Sequence, residues 1–361
     1  PPPPPPRPPL PAPPQPHRET SPLLHTQPAP PRPPLRTATV PAFAKLNLSL
    51  LVLGKRPDGF HELRTIFQTI TLHDTLEIQY EPTGPLRISL DDPLNLPDNL
   101  ILRAARAYAE AVNLRGRLRL SIAKRIPMGG GLGGGSSDAA ATLLALPTLT
   151  GRPLPLPALS ALALETGSDV PFLLHGGTAL ALGRGEELYP LPTPQAPHVL
   201  VLSPGIHVST PEAYRALARP PLTELTFNER IPRLETFRAC VEAVSAARPA
   251  RAWQALCGND FEEAVFHRHP KLDSIRRELE KHGAGLARMS GSGSTVFGVF
   301  PSPVARDRAR AALPEVAATP TRFLSRAGFR AAWLRALRDH REGTAWPPPS
   351  RYDSKGYTPR S

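Results

Sequence analysis

Apolar and polar residues alternate regularly once the chain leaves its proline-rich start. In residues 44–50, Lys45, Asn47 and Ser49 fall on one face of an extended chain, and three leucines fall on the other. This period of two predicts a strand over residues 38–53. Similar patterns predict strands over residues 63–72, 75–80 and 86–90.

Helical spacing begins at Asp98, and residues 98–112 are predicted to form a capped amphipathic helix. A strand over residues 117–126 then feeds a glycine run, and the next helix opens with Ser136, Ser137 and Asp138 in cap positions. Strands are also predicted over residues 176–183 and 199–202 and after a glycine–serine turn within residues 287–300. Further helices are predicted up to Thr166, from an N-cap at Thr210, through much of residues 233–282, and over residues 304–314 and 327–339.

Residues 127–137 read Pro-Met-Gly-Gly-Gly-Leu-Gly-Gly-Gly-Ser-Ser and lie between a predicted strand and a predicted helix. Six glycines in seven residues let the backbone approach a bulky group, and the helix start points free amides outward. This arrangement predicts an anion site, with phosphate as the usual occupant. A flexible linker is the alternative.

Two commoner glycine loops fit this stretch poorly. A Walker loop needs Lys before its Ser or Thr, whereas Gly135 precedes Ser136. A Rossmann site needs an acidic residue about 20 positions later, and the nearest one is Glu165. The later motifs of protein kinases are also missing.

The composition is that of a soluble globular protein with room for two domains, since 40% of its 361 residues are hydrophobic and 20% are charged. Cys240 and Cys257 match no metal or redox spacing, so they are predicted to be core thiols without a disulfide. No membrane-spanning run or secretory signal is found, and a cytoplasmic location is predicted. The net charge of +12 fits either a nucleic-acid-binding protein or an arginine-rich enzyme with an anionic substrate.

Residues 1–36 contain 18 prolines and are predicted to be extended or disordered. The segment could be a solvated tail, sequence translated upstream of the true start, or a ligand for a proline-binding domain. Its four arginines lack an amphipathic pattern, which argues against a targeting peptide.

The glycine stretch resembles the phosphate loop of the GHMP kinases, small-molecule kinases named after galactose, homoserine, mevalonate and phosphomevalonate. Three further segments resemble motifs of this family in the expected order. Residues 41–48 resemble its opening Pro-Ala-Lys-Leu-Asn-Leu, apart from the inserted Phe43, and residues 167–171 resemble its Gly-Ala-Asp-Val-Pro. Residues 287–300 resemble its third motif, and the similarity spans residues 38–325.

The resemblance implies an α+β, two-domain GHMP kinase fold. Its N-terminal ATP-binding domain would be a βαβ unit of a type shared with a ribosomal protein and would cover residues 38–195. An α/β C-terminal domain would cover residues 196–340. Residues 1–37 and 341–361 would be disordered tails.

The resemblance also implies the chemistry. Asp169 would be the catalytic base, and Lys45 would stabilise the charge that develops at the nucleophile. ATP would be the co-substrate, accompanied by Mg²⁺ without a protein metal site. Its phosphates would be bound by the loop residues, namely Pro127, Met128, Gly129, Gly130, Gly131, Leu132, Gly133, Gly134, Gly135, Ser136 and Ser137.

The triple-glycine form of the loop resembles the branch of the family that phosphorylates the 2-hydroxyl of 4-diphosphocytidyl-2-C-methyl-D-erythritol, in the non-mevalonate route to isoprenoids. Asn47, Phe60, His61 and Tyr214 would bind this substrate, with Tyr214 facing Phe60 across the cytosine. Phe60 replaces the family tyrosine, so ring stacking survives without a phenol hydrogen bond. Taken alone, Phe60 reads as a core residue and His61 as a surface polar residue. Tyr214 also reads as a core or surface helix tyrosine, and Asp169 as a turn aspartate.

No nucleic-acid or membrane partner is expected, and the protein is predicted to be a monomer or weak homodimer. Three alternatives stay open: another GHMP kinase acting on homoserine or mevalonate, a nucleic-acid-binding protein, and a proline-rich scaffold acting through residues 1–36.

Overall fold

The computed structural model describes residues 2–3, 34–95, 97–196, 198–224, 226–246 and 248–352. The predicted tail over residues 1–37 therefore lies almost wholly outside the described residues, as do residues 353–361. Within the described ranges the strands are β1 Arg36–Lys55, β2 His61–Glu81, β3 Arg87–Asp91, β4 Arg117–Ala123, β5 Thr178–Leu182, β6 Glu187–Leu191, β7 Val199–Ser203, β8 Leu286–Met289, β9 Val296–Val299 and β10 Ala317–Thr321.

The helices of the same ranges occur on both sides of the glycine loop in sequence. They are α1 Leu100–Ala111, α2 Gly134–Thr150, α3 Leu156–Thr166, α4 Val170–His175, α5 Thr210–Leu217, α6 Phe227–Ser245, α7 Phe261–Arg268, α8 Pro270–Lys281, α9 Pro303–Ala311 and α10 Arg326–Ala336. None of them is long and apolar enough to cross a membrane.

Two sheets organise the described chain. In the first, β1 pairs antiparallel along one edge of β2, while β4 and β5 share the other edge, with β3 and β6 outside them. The second sheet has the order β10-β7-β9-β8. The predicted boundary between residues 195 and 196 lies between the two sheets, and it stays a prediction.

Helix α2 is central because its alanines and leucines make it apolar all round. Residues 137–150 are all buried, and the helix packs on α1, α4 and β1. Its N-terminus is thereby held at one fixed point, next to the glycine loop.

The structure corrects several sequence predictions. Residues 63–72 and 75–80 form the single strand β2, because β1 pairs with it from Lys55↔His61 to Arg36↔Tyr80. Elements α4, β6, β8 and β10 are additional. Helix α2 begins at Gly134 after a left-handed Gly133 without a side-chain cap, so capping by Ser136, Ser137 or Asp138 is wrong. Thr210 is the first residue of α5 and not the predicted N-cap, since the N-cap of this helix is Ser209.

The two cysteines are not free thiols. Cys240 and Cys257 form a buried disulfide with their Cα atoms 5.2 Å apart. The fold brings α6 against the segment before α7, a contact between distant residues that no spacing rule reveals.

Residues 341–352 do not form the predicted disordered tail. Thr148 Oγ1 donates a hydrogen bond to the Pro348 carbonyl at 2.9 Å, and Trp346 packs edge-on against Phe329 with ring centroids 6.0 Å apart. An aromatic side chain and a backbone bond thus fasten this segment to the core.

Candidate active site

The glycine loop connects β4 to α2 and exposes its backbone. Gly129, Gly131 and Gly133 have φ values of 64°, 75° and 70°, which L side chains rarely adopt. The loop delivers its amides to the N-terminus of α2, where the helix dipole favours an anion. The two hydroxyls that follow diverge: Ser136 lines the cavities described below, whereas buried Ser137 donates to the Phe43 carbonyl at 2.6 Å.

The second glycine–serine turn, residues 290–295, packs directly on this loop. A Cβ on Gly131 would lie 2.0 Å from the Ser290 carbonyl oxygen, so only glycine permits the contact. Ser290 Oγ donates to the Gly131 carbonyl at 2.9 Å, and the Thr295 amide donates to the Gly130 carbonyl at 3.3 Å. The turn therefore braces the loop through one side-chain and one main-chain hydrogen bond.

Lys45 and Asp169 meet although 124 positions separate them. Lys45 Nζ lies 3.3 Å from Asp169 Oδ2 and donates to Asn47 Oδ1 at 2.6 Å. Asn47 Nδ2 in turn donates to Thr65 Oγ1 at 2.9 Å. The lysine side chain is 5% exposed and that of Asp169 31%, so the ammonium is fixed while the carboxylate faces the cavity.

Local backbone features place Lys45 and Asp169 at this site. A bulge between Phe43 and Lys45 shifts the register of β1, and the Lys45 amide donates to the Leu132 carbonyl of the glycine loop at 3.0 Å. Phe43, the insertion relative to the family motif, is buried against the Phe329 ring. Asp169 lies at the turn between α3 and α4, since α4 begins at Val170.

Two cavities lie beside the glycine loop. The first, of about 380 Å³, is lined by the loop and by Asp98, Asn99, Leu100 and Lys124. The second, of about 560 Å³, is lined by Lys45, Asp169, Phe60, His61 and Tyr214 among others. They share Gly131, Gly133 and Ser136, so these three residues border both cavities.

Each aromatic side chain of the second cavity has its own contacts, and the pairing of Tyr214 with Phe60 across the cytosine stays a prediction. Tyr214 stacks on His61, with ring centroids 4.5 Å apart and planes at 22°, and its edge meets Phe261. Phe60 is 48% exposed and lies under the Arg184 guanidinium, 4.5 Å from the ring centroid. The aromatic contacts made by Tyr214 are thus with His61 and Phe261.

Burial shifts the titration of this pair. Burial and the charge of Lys55 lower the pKa of His61, which favours the neutral ring. Burial raises the pKa of Tyr214 to about 12, with a further contribution from the charge of Asp169. Both rings are therefore uncharged near neutral pH.

An ion-pair cluster beneath the first cavity was not predicted. Lys124 Nζ lies 2.6 Å from Asp138 Oδ2 and also pairs with Asp74, which accepts the Ile126 amide at 2.7 Å. Burial raises the pKa of Asp138 to about 7, and Asp138 Oδ1 has no hydrogen-bond partner. No sequence signal marks the cluster, because its members come from β2, the end of β4 and α2.

The described residues contain no cluster of three or more His, Cys, Asp or Glu side chains that could hold a metal ion. Mg²⁺ in kinase sites is usually bound by one or two protein oxygens together with substrate phosphates. Ser136 and Asp138, whose buried Oδ1 has no hydrogen-bond partner, both line the first cavity and offer oxygens of the kind that requirement needs.

Known proteins resemble both halves of the chain. The family described as GHMP kinases N terminal domain matches residues 99–177, and GHMP kinases C terminal matches residues 240–319. A 4-diphosphocytidyl-2-C-methyl-D-erythritol kinase of Solibacter usitatus is 50% identical over 88% of this chain and 98% of its own length. The enzyme of the same name from Gloeobacter violaceus is 41% identical over 77% of this chain and 88% of its own.

Solved structures agree. The crystal structure of a 4-(cytidine 5'-diphospho)-2C-methyl-D-erythritol kinase matches with a TM-score of 0.65 and 38% identity, covering 79% of this chain and 98% of that one. A homoserine kinase from Cytophaga hutchinsonii has the same TM-score with 18% identity, covering 81% of this chain and 96% of its own, and shares the fold alone.

Proposed function

The chain belongs to the GHMP kinases, among the 4-diphosphocytidyl-2-C-methyl-D-erythritol kinases, and from that premise we propose that it phosphorylates the 2-hydroxyl of this cytidyl diphosphate with ATP. The reaction would supply the non-mevalonate route to isoprenoids. The earlier predictions of a cytoplasmic location, a monomer or weak homodimer, and no nucleic-acid partner belong to the same proposal.

One observation carries the proposal: the 3.3 Å pair of Lys45 and Asp169 stands where the two cavities share Gly131, Gly133 and Ser136. ATP in the first cavity would extend its terminal phosphate past the loop to this pair. The hydroxyl of an alcohol bound in the second cavity would meet the terminal phosphate of ATP beside this pair. Phosphoryl transfer depends mostly on positioning and on charge stabilisation, which this arrangement supplies.

In the proposed reaction, the acceptor oxygen forms a bond to the γ-phosphorus of ATP. The bond from that phosphorus to the β,γ-bridging oxygen breaks, and ADP leaves. Asp169 accepts the proton of the hydroxyl. Lys45, held by Asn47, stabilises the negative charge on the acceptor oxygen and the transferred group.

The phosphates would be held by the amides of residues 129–135 and the hydroxyl of Ser136. Ser137 is proposed to anchor β1 through Phe43 and not to bind phosphate, since its hydroxyl is buried and already donates a bond. Ser136 and Asp138 would hold Mg²⁺, which neutralises phosphate charge when bound with ATP.

The cytosine would lie among Phe60, His61 and Tyr214. The neutral imidazole suits a hydrogen bond to a polar edge of the base, and the exposed Phe60 ring offers a stacking surface. Asn47 also lines this cavity, although both ends of its amide already have partners. Its proposed contribution is therefore mainly to hold Lys45.

A coupled ADP-release assay with a panel of acceptors tests the proposal. The cytidyl diphosphate substrate should be turned over at least about 1,000-fold more efficiently than homoserine or mevalonate, because unpaired polar groups in a site strongly penalise an ill-fitting substrate. If the protein prefers homoserine or mevalonate, the proposed acceptor is wrong but the proposed kinase activity stands. RNA affinity without ATP consumption would overturn the proposal altogether.

A further inference from the structure

We infer that Asn259 is a positioning residue for this phosphoryl transfer, because it holds the second glycine–serine turn in the place where that turn braces the phosphate loop. The kinetic part of the inference rests on the proposed function. Asn259 lies in residues 258–262, between the buried disulfide residue Cys257 and the body of α7.

The amide of Asn259 is used at both ends. Its Nδ2 donates to the carbonyls of Met289 and Gly291, each at 2.8 Å, and its Oδ1 accepts the Phe261 amide at 3.0 Å. The residue is 7% exposed, so water cannot easily replace these bonds. Two donors and one acceptor on one short side chain are properties of asparagine, whereas an ionised aspartate only accepts.

The neighbours of Asn259 are clamped to the strand that carries Lys45. The Leu50 amide donates to the Gly258 carbonyl at 2.8 Å, and the Asp260 amide donates back to the Leu50 carbonyl at 2.9 Å. The Val52 amide donates to Asp260 Oδ2 at 2.8 Å. Asn259 therefore links β1 to the turn and fixes the distance between them.

The turn passes this constraint to the phosphate loop. Ser290 lies between the two residues whose carbonyls Asn259 binds. Its Oγ donates to the Gly131 carbonyl at 2.9 Å and accepts a hydrogen bond from the backbone N–H of Asn47 at 3.3 Å. Gly291 lines the second cavity and contacts Gly131. Losing Asn259 Nδ2 leaves two buried carbonyls without their donor, and the turn must move to find others.

Two variants test the inference. Asn259→Ala removes all three bonds, and Asn259→Asp keeps the acceptor for Phe261 but loses both donors. In each, kcat should fall about 10–100-fold, because displacing reacting groups by about 1 Å costs that much. KM for ATP should change by less than kcat does, since Asp98, Asn99, Leu100 and Lys124 also line its cavity and none of them is bonded by Asn259. Asn228→Ala, an exposed asparagine on α6, is the matched control.

A double-mutant cycle with Ser290→Ala separates positioning from general destabilisation. Because Asn259 acts through the turn, kcat of the double variant should lie within about threefold of kcat of the slower single variant. Losses that multiply would overturn the inference. So would normal kcat in Asn259→Asp.

Hydrogen exchange gives a readout that needs no acceptor. Amides of residues 128–137 and 286–296 should exchange faster in Asn259→Ala and Asn259→Asp than in wild type, while α10 keeps its protection. Unchanged exchange in both segments would overturn the inference even if the wild type is active. If the wild type fails to phosphorylate the cytidyl diphosphate, the proposed function fails, and exchange still decides the role of Asn259.

Discussion

Gly131→Ala should damage both stability and catalysis far more than an alanine at another glycine of similar backbone conformation. Gly131 has φ of 75°, and its Cβ would lie 2.0 Å from the Ser290 carbonyl oxygen. Gly84 has φ of 80° with nothing within 4 Å of its Cβ position. Gly84→Ala is therefore the control for backbone strain alone.

The expected magnitudes follow from these contacts. Alanine in the left-handed region costs about 1–2 kcal/mol at either position. At Gly131 the two turns must also separate by about 1 Å, which breaks the bonds from Ser290 Oγ and the Thr295 amide. At about 0.5–1.5 kcal/mol for each bond, Gly131→Ala should lose roughly 2–5 kcal/mol of unfolding free energy.

Urea unfolding of the two variants, followed by the ADP-release assay, tests this reasoning. Gly131→Ala should also lose about 100-fold in kcat, since the loop carries the transferred phosphate. Gly84→Ala should keep the wild-type rate. Equal stability losses in the two variants, or an unchanged kcat in Gly131→Ala, would refute the idea that the two turns brace each other.

Three further predictions concern the core, the chain end and the acceptor cavity. Burial raises the pKa of Glu262 to about 7, so the folded protein holds this proton more tightly than the unfolded chain, and stability is lost as pH rises from about 4.5 to 7. Glu262→Gln should abolish that loss, on the order of 3 kcal/mol, between urea unfolding curves at pH 5 and 8; the same drop in both proteins would contradict it. Trp346→Ala should cost about 2–4 kcal/mol by thermal unfolding because it leaves a void against Phe329, whereas an unchanged Tm would restore the idea of a loose tail. Phe60→Ala should raise KM for the cytidyl diphosphate about 10-fold through lost stacking and leave KM for ATP unchanged, with Phe60→Tyr near wild type; a change confined to ATP would place the base elsewhere.

Motif order was sufficient to predict the fold and to single out Lys45 and Asp169, which the structure places 3.3 Å apart. Lys45 and Asp169 could be paired from sequence only through the family resemblance, since nothing in alternation or capping links positions so far apart. The glycine run itself predicted a phosphate site from backbone chemistry alone. Its strand-to-helix context is confirmed by the structure.

What the sequence could not supply is contact between remote segments. The fit of Ser290 against Gly131 depends on two turns whose backbones meet. Each of these turns, taken alone in the sequence, reads as an ordinary glycine turn. The same holds for Asp74 beside Lys124 and for the disulfide between Cys240 and Cys257. Trp346 was assigned to a tail because composition does not show which core surface is left uncovered.

The central claim is that Asp169 and Lys45 act on the phosphoryl group at the meeting point of the two cavities. Single-turnover transfer from γ-labelled ATP, with Kd for ATP measured in parallel, tests it most directly. Asp169→Asn and Lys45→Ala should each slow transfer at least about 100-fold, with ATP binding kept and exposed Asp307→Asn as control. Transfer near the wild-type rate in either variant would contradict the claim.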